Sequence, residues 1–406
     1  MRARRTPTTR TFLLGLTAVL IATCAAAAGP ASAARHGLVT AGVPRQAPPA
    51  GAPTGAVVAG LTAVGYEVSR TAEPGRNWVM SPLSVAYAFA MARAGASGET
   101  AAQLDRLFGF PERGTHEAFN ALDSQVAAEG GPLRAANALW AQPGFPIGEE
   151  FLRTLATQYG TGVRTVDFGS PDALPAIDAW VRERTRGRIP KLFDRLDPAT
   201  RVVLANAIHF EADWGEPFRG GESAAFTRPD GSTVLAPMMH RVASAGYARS
   251  DDWQAVELPY GETGFAMWVL LPAPSGPAPV ELLAPETLAA VADGLRPAVA
   301  DVTLPKWESE SRVDLLAAVR GLGVTDLTGF SGIHPAVSLG QATHRAAITV
   351  DEKGTEAAAA TGLELPVSAG PLPVVTFRAD RPFAYAIVHT ATRTPAFVGT
   401  VADPTA

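Results

Sequence analysis

Apolar side chains recur at three- and four-residue spacing through much of the first half of the chain, and alternate or run continuously through much of the second. The first pattern predicts amphipathic helices and the second predicts strands. Helical spacing is plain over residues 82–94, where Ser81 stands as an N-cap in front of Pro82 at the first helical position. It recurs over 98–108, 148–159, 173–185 and 313–320, and Gly321 closes the last of these. Strand-like runs fall at 202–210, 255–258, 265–271, 299–304, 346–350, 383–389 and 396–401. Helices dominate the first half and strands the second, which implies an α+β fold with large antiparallel or mixed sheets rather than an alternating βαβ fold. No internal repeat is visible.

The N-terminal flank reads differently. Arg2, Arg4, Arg5 and Arg10 precede or open an apolar run over 12–28, and Ala31-Ser32-Ala33 offers a cleavage site. Residues 1–33 are therefore expected to be an export signal, with a secreted, extracellular mature chain beginning near Ala34. Cys24 after Leu20-Ile21-Ala22-Thr23 leaves lipid anchoring as an alternative, although Thr23 suits that signal poorly. Residues 34–55 carry Pro44, Pro48, Pro49 and Pro53 among Ala and Gly and read as a flexible tether. The Pro-rich piece 272–285 is short and flanked by strand-like runs, so 56–406 reads as one domain.

Composition then narrows the partners. With 406 residues and 47% hydrophobic side chains, the chain can bury one large core or two modest ones. Cys24 is the only cysteine, so the mature chain has no internal disulfide and packing alone must hold it. The signal holds four arginines and no acids, so its removal makes the net charge of −5 more negative still. That balance disfavours nucleic acid and anionic membranes as partners. No later apolar run is long enough to span a bilayer. Lysine is confined to Lys191, Lys306 and Lys353.

Local signatures of catalysis fail one by one. His116-Glu117 begins like a zinc-binding helix, but Asn120 stands where the second histidine is required. Gly321-Leu322-Gly323 lacks the third glycine of a dinucleotide loop. Neither a nucleophile elbow nor a P-loop occurs. A dispersed Ser/His/Asp triad leaves no local mark, so a secreted hydrolase stays open as a third reading. The residues call for no metal and no cofactor, and an enzyme is not expected.

The informative stretch runs from Val350 through Asp351, Glu352, Lys353, Gly354, Thr355 and Glu356 to Ala357, Ala358, Ala359, Ala360, Thr361 and Gly362. Composition alone reads it as an Ala-rich surface loop or short helix. Every second residue from Thr355 gives Thr355, Ala357, Ala359, Thr361, Leu363, Leu365 and Val367, and the other set includes Glu356, Ala358, Ala360, Gly362, Glu364, Pro366 and Ser368. One set can face a core and the other water, as in a strand of period two. Gly370, Pro371 and Pro373 follow at once, as in an exposed loop.

Glu352 to Thr361 resembles the hinge of the serpin family. Further similar blocks are Asn77 to Ser84, Ala136 to Trp140, Gly187 to Lys191, Leu204 to Phe210, Phe377 to Phe383 and Phe397 to Gly399, in family order from about Gly55 to the end. All three lysines fall inside family-like motifs: Lys191 and Lys353 in blocks just named, and Lys306 in Leu304-Pro305-Lys306-Trp307. The resemblance implies a serpin-like α+β fold, helices around large mixed or antiparallel sheets, with a reactive loop over about 354–376. It implies a monomeric suicide-substrate inhibitor: a serine protease attacks the loop and forms its acyl-enzyme. The cut loop then inserts into the main sheet and carries the protease away. About 13 inserted residues at roughly 3.3 Å each would move it some 45 Å. Ser81, Ser84, Asn206 and His344 match the polar shutter beneath that sheet. Trp214 matches the aromatic at the breach, where insertion starts, and Lys306 with Glu352 matches a pair tying the strand before the loop to its neighbour. Without the resemblance these residues read as ordinary caps, core polar groups and solvated charges. A non-inhibitory carrier or chaperone on the same fold is the alternative; the small residues of the hinge argue against it, since a strand entering a packed sheet cannot bury an unpaired charge.

Counting from the hinge places the reactive bond at Ser368–Ala369, with Val367–Ser368 second. Counting back from Phe377 gives Pro371–Leu372 instead. The hinge count is preferred because the inserted side must match the sheet, and because bonds next to Pro366 and Pro371 are poor substrates. No Lys or Arg occurs from Gly354 to Phe377, so a trypsin-like target is not expected. Small neutral residues suit a serine protease of elastase-like or subtilisin-like specificity.

Overall fold

The computed structural model describes residues 37–127, 131–355 and 373–406, and in them the apolar spacing is realised as eight α-helices and two large sheets. In chain order the first half holds β1 (Gly37–Val39), α1 (Thr54–Ser69), β2 (Trp78–Met80), α2 (Pro82–Arg93), α3 (Gly98–Phe108), α4 (Thr115–Val126), β3 (Leu133–Ala141), α5 (Glu149–Tyr159), β4 (Val163–Thr165) and α6 (Ala173–Arg184). There follow β5 (Val202–Phe210), β6 (Ala212–Asp213), β7 (Arg219–Thr227), β8 (Thr233–Arg249), β9 (Trp253–Pro259), β10 (Phe265–Pro272), α7 (Pro285–Gly294), β11 (Arg296–Pro305) and β12 (Trp307–Asp314). The chain ends with α8 (Leu315–Gly321), β13 (Gln341–Val350), β14 (Gly354–Thr355), β15 (Val374–Arg378), β16 (Phe383–His389) and β17 (Thr394–Val401).

Local chemistry sets the boundaries. The Ser81 hydroxyl accepts from the Ser84 N–H at 3.0 Å and Pro82 opens α2. Strands β5, β10 and β16 are buried at every position, which is why they read as near-continuous apolar runs, broken in β5 by Asn206 and His209 and ended in β16 by His389. Strand β12 alternates buried and exposed residues and pairs along its length with β13.

The first sheet runs β1-β4-β3-β5-β13, with β12 beyond β13 and with β14 bridging β13 to β6. Its centre is a parallel pair in which Val203–Ile208 of β5 lies against Gln341–Ala346 of β13. The second sheet runs β15-β11-β8-β9-β10-β16-β17-β2, with β7 on β8. A large core joins the helices α1 to α5 to both sheets. A smaller one lies on the other face of the first sheet, where Ile177 and Val181 of α6 cover Ala136, Ala138, Val203, Ala205 and Ala207. Full burial of each Ile or Val there contributes roughly 1.5–3 kcal/mol.

Two expectations are corrected. In the tether expected over 34–55, Gly37–Val39 pairs antiparallel with Val163–Thr165 and α1 already begins at Thr54. Between them Arg45 Nη1 lies 2.6 Å from the Asp123 carboxylate of α4, and the Gln46 N–H donates to the Thr157 carbonyl of α5 at 2.8 Å. The reason is the edge of β4, whose unpaired backbone groups the arm covers. Gly162 permits the approach, since a Cβ there would meet the Val39 carbonyl at 2.2 Å. In the second correction, the helix expected over 313–320 starts later: Val313 and Asp314 finish β12, and the Asp314 carboxylate caps α8 by accepting from the Leu316 and Ala317 N–H groups, both at 3.0 Å.

Helices α1, α4 and α7 and the longer strands β3, β7, β8 and β12 were not expected from spacing. The 272–285 piece forms no boundary: it contains a short 3-10 turn with Leu282 and Leu283 buried, and the described residues make one compact unit. The export signal expected over 1–33 lies outside the described residues, and no helix among them is long and apolar enough to cross a membrane.

Candidate functional site

The site lies along the seam between β5 and β13. At its head, β14 is wedged between two partners: Thr355 pairs with Val350 on β13 and with Ala212 on β6, and Gly354 pairs with Asp213. Only glycine fits at 354, because a Cβ would meet the Ala212 carbonyl at 2.2 Å. Thr355 is completely buried, with its hydroxyl 2.5 Å from that of Tyr260.

Tyr260 in turn stacks on Trp214, ring centroids 4.4 Å apart and 13° from parallel. The Trp214 indole N–H donates to the Asp351 carbonyl at 2.9 Å, and its backbone N–H donates to the Lys353 carbonyl at 2.8 Å. Trp214 therefore holds the turn that delivers Thr355 to the sheet. Lys306 Nζ reaches the Glu352 carboxylate at 3.0 Å, beside the bond from the Phe218 N–H to the Glu352 carbonyl at 2.8 Å. Burial by itself would push the Glu352 carboxyl up, but a backbone N–H and Lys306 outweigh it and hold the carboxyl below its ordinary value.

Below the head, the seam is closed by a buried polar cluster. Asn206 and His344 are direct neighbours in the β5–β13 register, and the His344 Nδ1 is hydrogen-bonded to the Asn206 side-chain oxygen. His344 Nε2 accepts from the Ser81 N–H at 3.1 Å, which makes Nδ1 the protonated nitrogen of a neutral ring. Burial pushes this imidazole down to about 3. The Asn206 amide donates to the Ser84 carbonyl at 2.7 Å, to the Ser84 hydroxyl at 2.9 Å and to the Asn137 side-chain oxygen at 2.7 Å. Each buried donor and acceptor in this cluster is thereby satisfied. Cut the seam at this level and both strand faces lose partners.

The structure thus brings Ser81, Ser84, Asn206 and His344 together in one cluster, and Trp214, Lys306, Glu352, Gly354 and Thr355 in another. The hinge residues Glu356, Ala357, Ala358, Ala359, Ala360 and Thr361 and the reactive residues Val367, Ser368 and Ala369 lie outside the described residues. The two ends of that stretch stand on different sheets: Thr355 on the first, and Pro373, whose carbonyl accepts from the Val299 N–H at 2.9 Å, on the second. Sequence reasoning missed Asn137 and Tyr260 as site residues. A lone amide in the small apolar run of β3 was the available signal for Asn137; Tyr260 had none, because its neighbours come from distant segments.

His116, the start of the failed zinc pattern, bonds instead to the Tyr159 hydroxyl at 2.8 Å. Among the described residues no group of three His, Cys, Asp or Glu side chains is placed to hold a metal ion.

A family model described as Serpin (serine protease inhibitor) matches residues 62–404. An uncharacterized serpin-like protein of Thermococcus kodakarensis is 36% identical over 81% of either chain. Leukocyte elastase inhibitor of Bos taurus is 32% identical over 82% of this chain and 94% of its own. Among solved structures, the thermophilic serpin tengpin in its native state superposes with a TM-score of 0.77 at 23% identity, covering 85% of this chain and 94% of its own. Thyroxine-binding globulin complexed with thyroxine does so at 0.75 and 25%, covering 86% and 99%. The model spans most of the chain and the sheets and helices coincide, so the chain belongs to the serpin family, whose members are in general protease inhibitors.

Proposed function

We propose that this chain is a secreted suicide-substrate inhibitor of serine proteases, which traps the acyl-enzyme by inserting its cleaved loop between β5 and β13. It acts as bait, not as a catalyst. The observation that carries the reading is β14: Gly354 and Thr355 already form its first rungs, in antiparallel register with β13 and β6. Continuing that register one residue per rung would set Thr361 between Asn206 and His344, and Leu365 between Val202 and Gly340 at the foot of the seam. The inward set is then Thr355, Ala357, Ala359 and Thr361 before any large residue, so the strand can enter before it must displace packed side chains.

In this reading Ser81, Ser84, Asn206 and His344 hold the seam shut until Thr361 arrives with a hydroxyl of its own. Trp214 and the Lys306–Glu352 pair hold the head in place. The bait is Ser368–Ala369, with Val367–Ser368 second, and the target is a serine protease that accepts small neutral residues. Support for that class comes from the lack of Lys and Arg over 354–377 and from the similarity to an elastase inhibitor. The mature chain works alone as a monomer without cofactor, metal, nucleic acid or membrane.

The test is incubation of the mature chain with elastase and with subtilisin. A covalent adduct that survives denaturant is expected, together with a released peptide beginning at Ala369 or Ser368. Cleavage without adduct would favour the carrier or chaperone alternative, and a peptide beginning at Leu372 would move the reactive bond to Pro371–Leu372.

A further inference from the structure

Residues 186–200, which follow α6, lie across the first sheet and are fastened on both sides of the seam. On the β5 side the attachment is apolar: Ile189, Leu192 and Phe193 are fully buried against the smaller core that holds Val203, Ala205 and Ala207. On the far side it is polar. The Asp194 carboxylate pairs with Arg312 of β12, and within the segment itself it also takes Lys191 Nζ at 3.2 Å. The Arg195 carbonyl accepts from the Gln341 side chain of β13 at 3.2 Å. Arg312 lies opposite Arg345, which lies opposite Ala207, so the cover reaches over β13 to a strand two places from β5.

A strand entering between β5 and β13 must widen the seam by roughly 4.8 Å. The cover cannot stay fastened to both sides through that step. The apolar side would expose three buried side chains to water if it let go. The Asp194–Arg312 pair is 56% and 39% exposed, and water and salt replace such a pair at little cost. We propose that the Asp194–Arg312 pair is the latch that releases when a strand enters the seam, so that Asp194 and Arg312 are positioning residues which set the insertion rate. This inference rests on the proposed inhibitory reading and deepens it: insertion races hydrolysis of the acyl-enzyme, so the latch helps decide whether the protease is trapped or freed.

The test reads insertion without any target protease. The loop of the mature chain is nicked within 356–372 by a metalloprotease, and the rate at which the cleaved chain gains heat resistance is followed through tryptophan fluorescence. Asp194→Asn and Arg312→Gln are each expected to speed that gain about threefold, the worth of an exposed ion pair. The double variant should gain no further speed. Arg312→Lys, which keeps the charge, should stay close to wild type. Raising sodium chloride from about 0.05 M to about 0.5 M should speed the wild type and leave Arg312→Gln almost unchanged. Equal rates in all variants, or additive effects in the double variant, would overturn the latch alone. A cleaved chain that gains no heat resistance would overturn both the latch and the inhibitory reading.

Discussion

His344 shows how much one residue can set at this seam. Its ring is held near 3 by burial, and its unfolded counterpart titrates at about 6.5, so only the unfolded state takes up a proton between those values. The sign follows: stability is intact above about pH 6.5 and falls as the pH drops toward 3. One such histidine costs about 2 kcal/mol between pH 7 and pH 5. Burial also holds His116 and His209 down to about 4 and lowers His389 as well, so His344→Gln should remove roughly a quarter to a third of the histidine-borne slope. Denaturant midpoints at the two pH values read this directly, and an unchanged slope would mean that His344 is protonated in the folded chain. Thr355 makes a second residue-scale case. It is already in the sheet before any cleavage, fully buried with its hydroxyl against Tyr260, so arginine there would push β14 out and leave an unpaired guanidinium to be buried as the first step of insertion. Each 1.4 kcal/mol added to the insertion barrier slows insertion about tenfold. Thr355→Arg is therefore expected to be cut at the wild-type bond while releasing active protease; an unchanged stoichiometry of inhibition would count against insertion. These residues were legible by type and motif. Their bonds were not, because Ser81, Asn137, Asn206 and His344 meet only after four distant segments pack.

The arm ahead of α1 makes the corresponding case for elements. Proline and alanine content suggested a free tether, yet the arm supplies β1 and fastens α4 to α5. Three paired residues are too few to show a period of two, and the partner edge at 163–165 lies far along the chain, so no local pattern could reveal it. Arg45 is the fastening point: besides Asp123, its Nε donates to the Asn120 side-chain oxygen at 2.8 Å and its Nη2 to the Asn120 carbonyl at 3.2 Å. Burial pushes the Asp123 carboxyl up while Arg45 pulls it back. Arg45→Ala would leave that carboxylate half-desolvated without a partner, and a loss of about 2 kcal/mol in the denaturant midpoint is expected. A loss below about 0.5 kcal/mol, within the ordinary range for a surface change, would mean that the arm rests on the fold without supporting it. Longer helices and strands such as α2, α3, β5, β10 and β16 were legible because their own periodicity and caps fix them. The start of α8 was not, because Asp314 ends a strand and caps a helix at once.

For the whole molecule, the question is whether the native fold is the most stable one available to the sequence. The first sheet is complete below β14 only because β5 and β13 pair directly, in parallel, across a cluster of neutral hydrogen bonds. An antiparallel strand between them would double the ladder and keep every neighbouring register. In that register Leu363 falls between Leu204 and Ala342, and Leu365 between Val202 and Gly340, all positions lined by buried apolar or small residues. Burying Leu363 and Leu365 would contribute roughly 1.5–3 kcal/mol each before any strand hydrogen bond is counted. The intact chain cannot take this gain in full, since the stretch from Thr355 must also return to Val299 on the second sheet through Pro373. Cleavage within the loop removes that tether. The thermal midpoint of the loop-cleaved chain should therefore lie above that of the intact chain, and at a gain of about 5 kcal/mol the shift should be about 6 °C for a chain of this size. Scanning both forms under identical conditions makes the comparison. Equal midpoints would mean that the sheet does not accept the strand, and the fold would then serve as a carrier whose loop is only a loop.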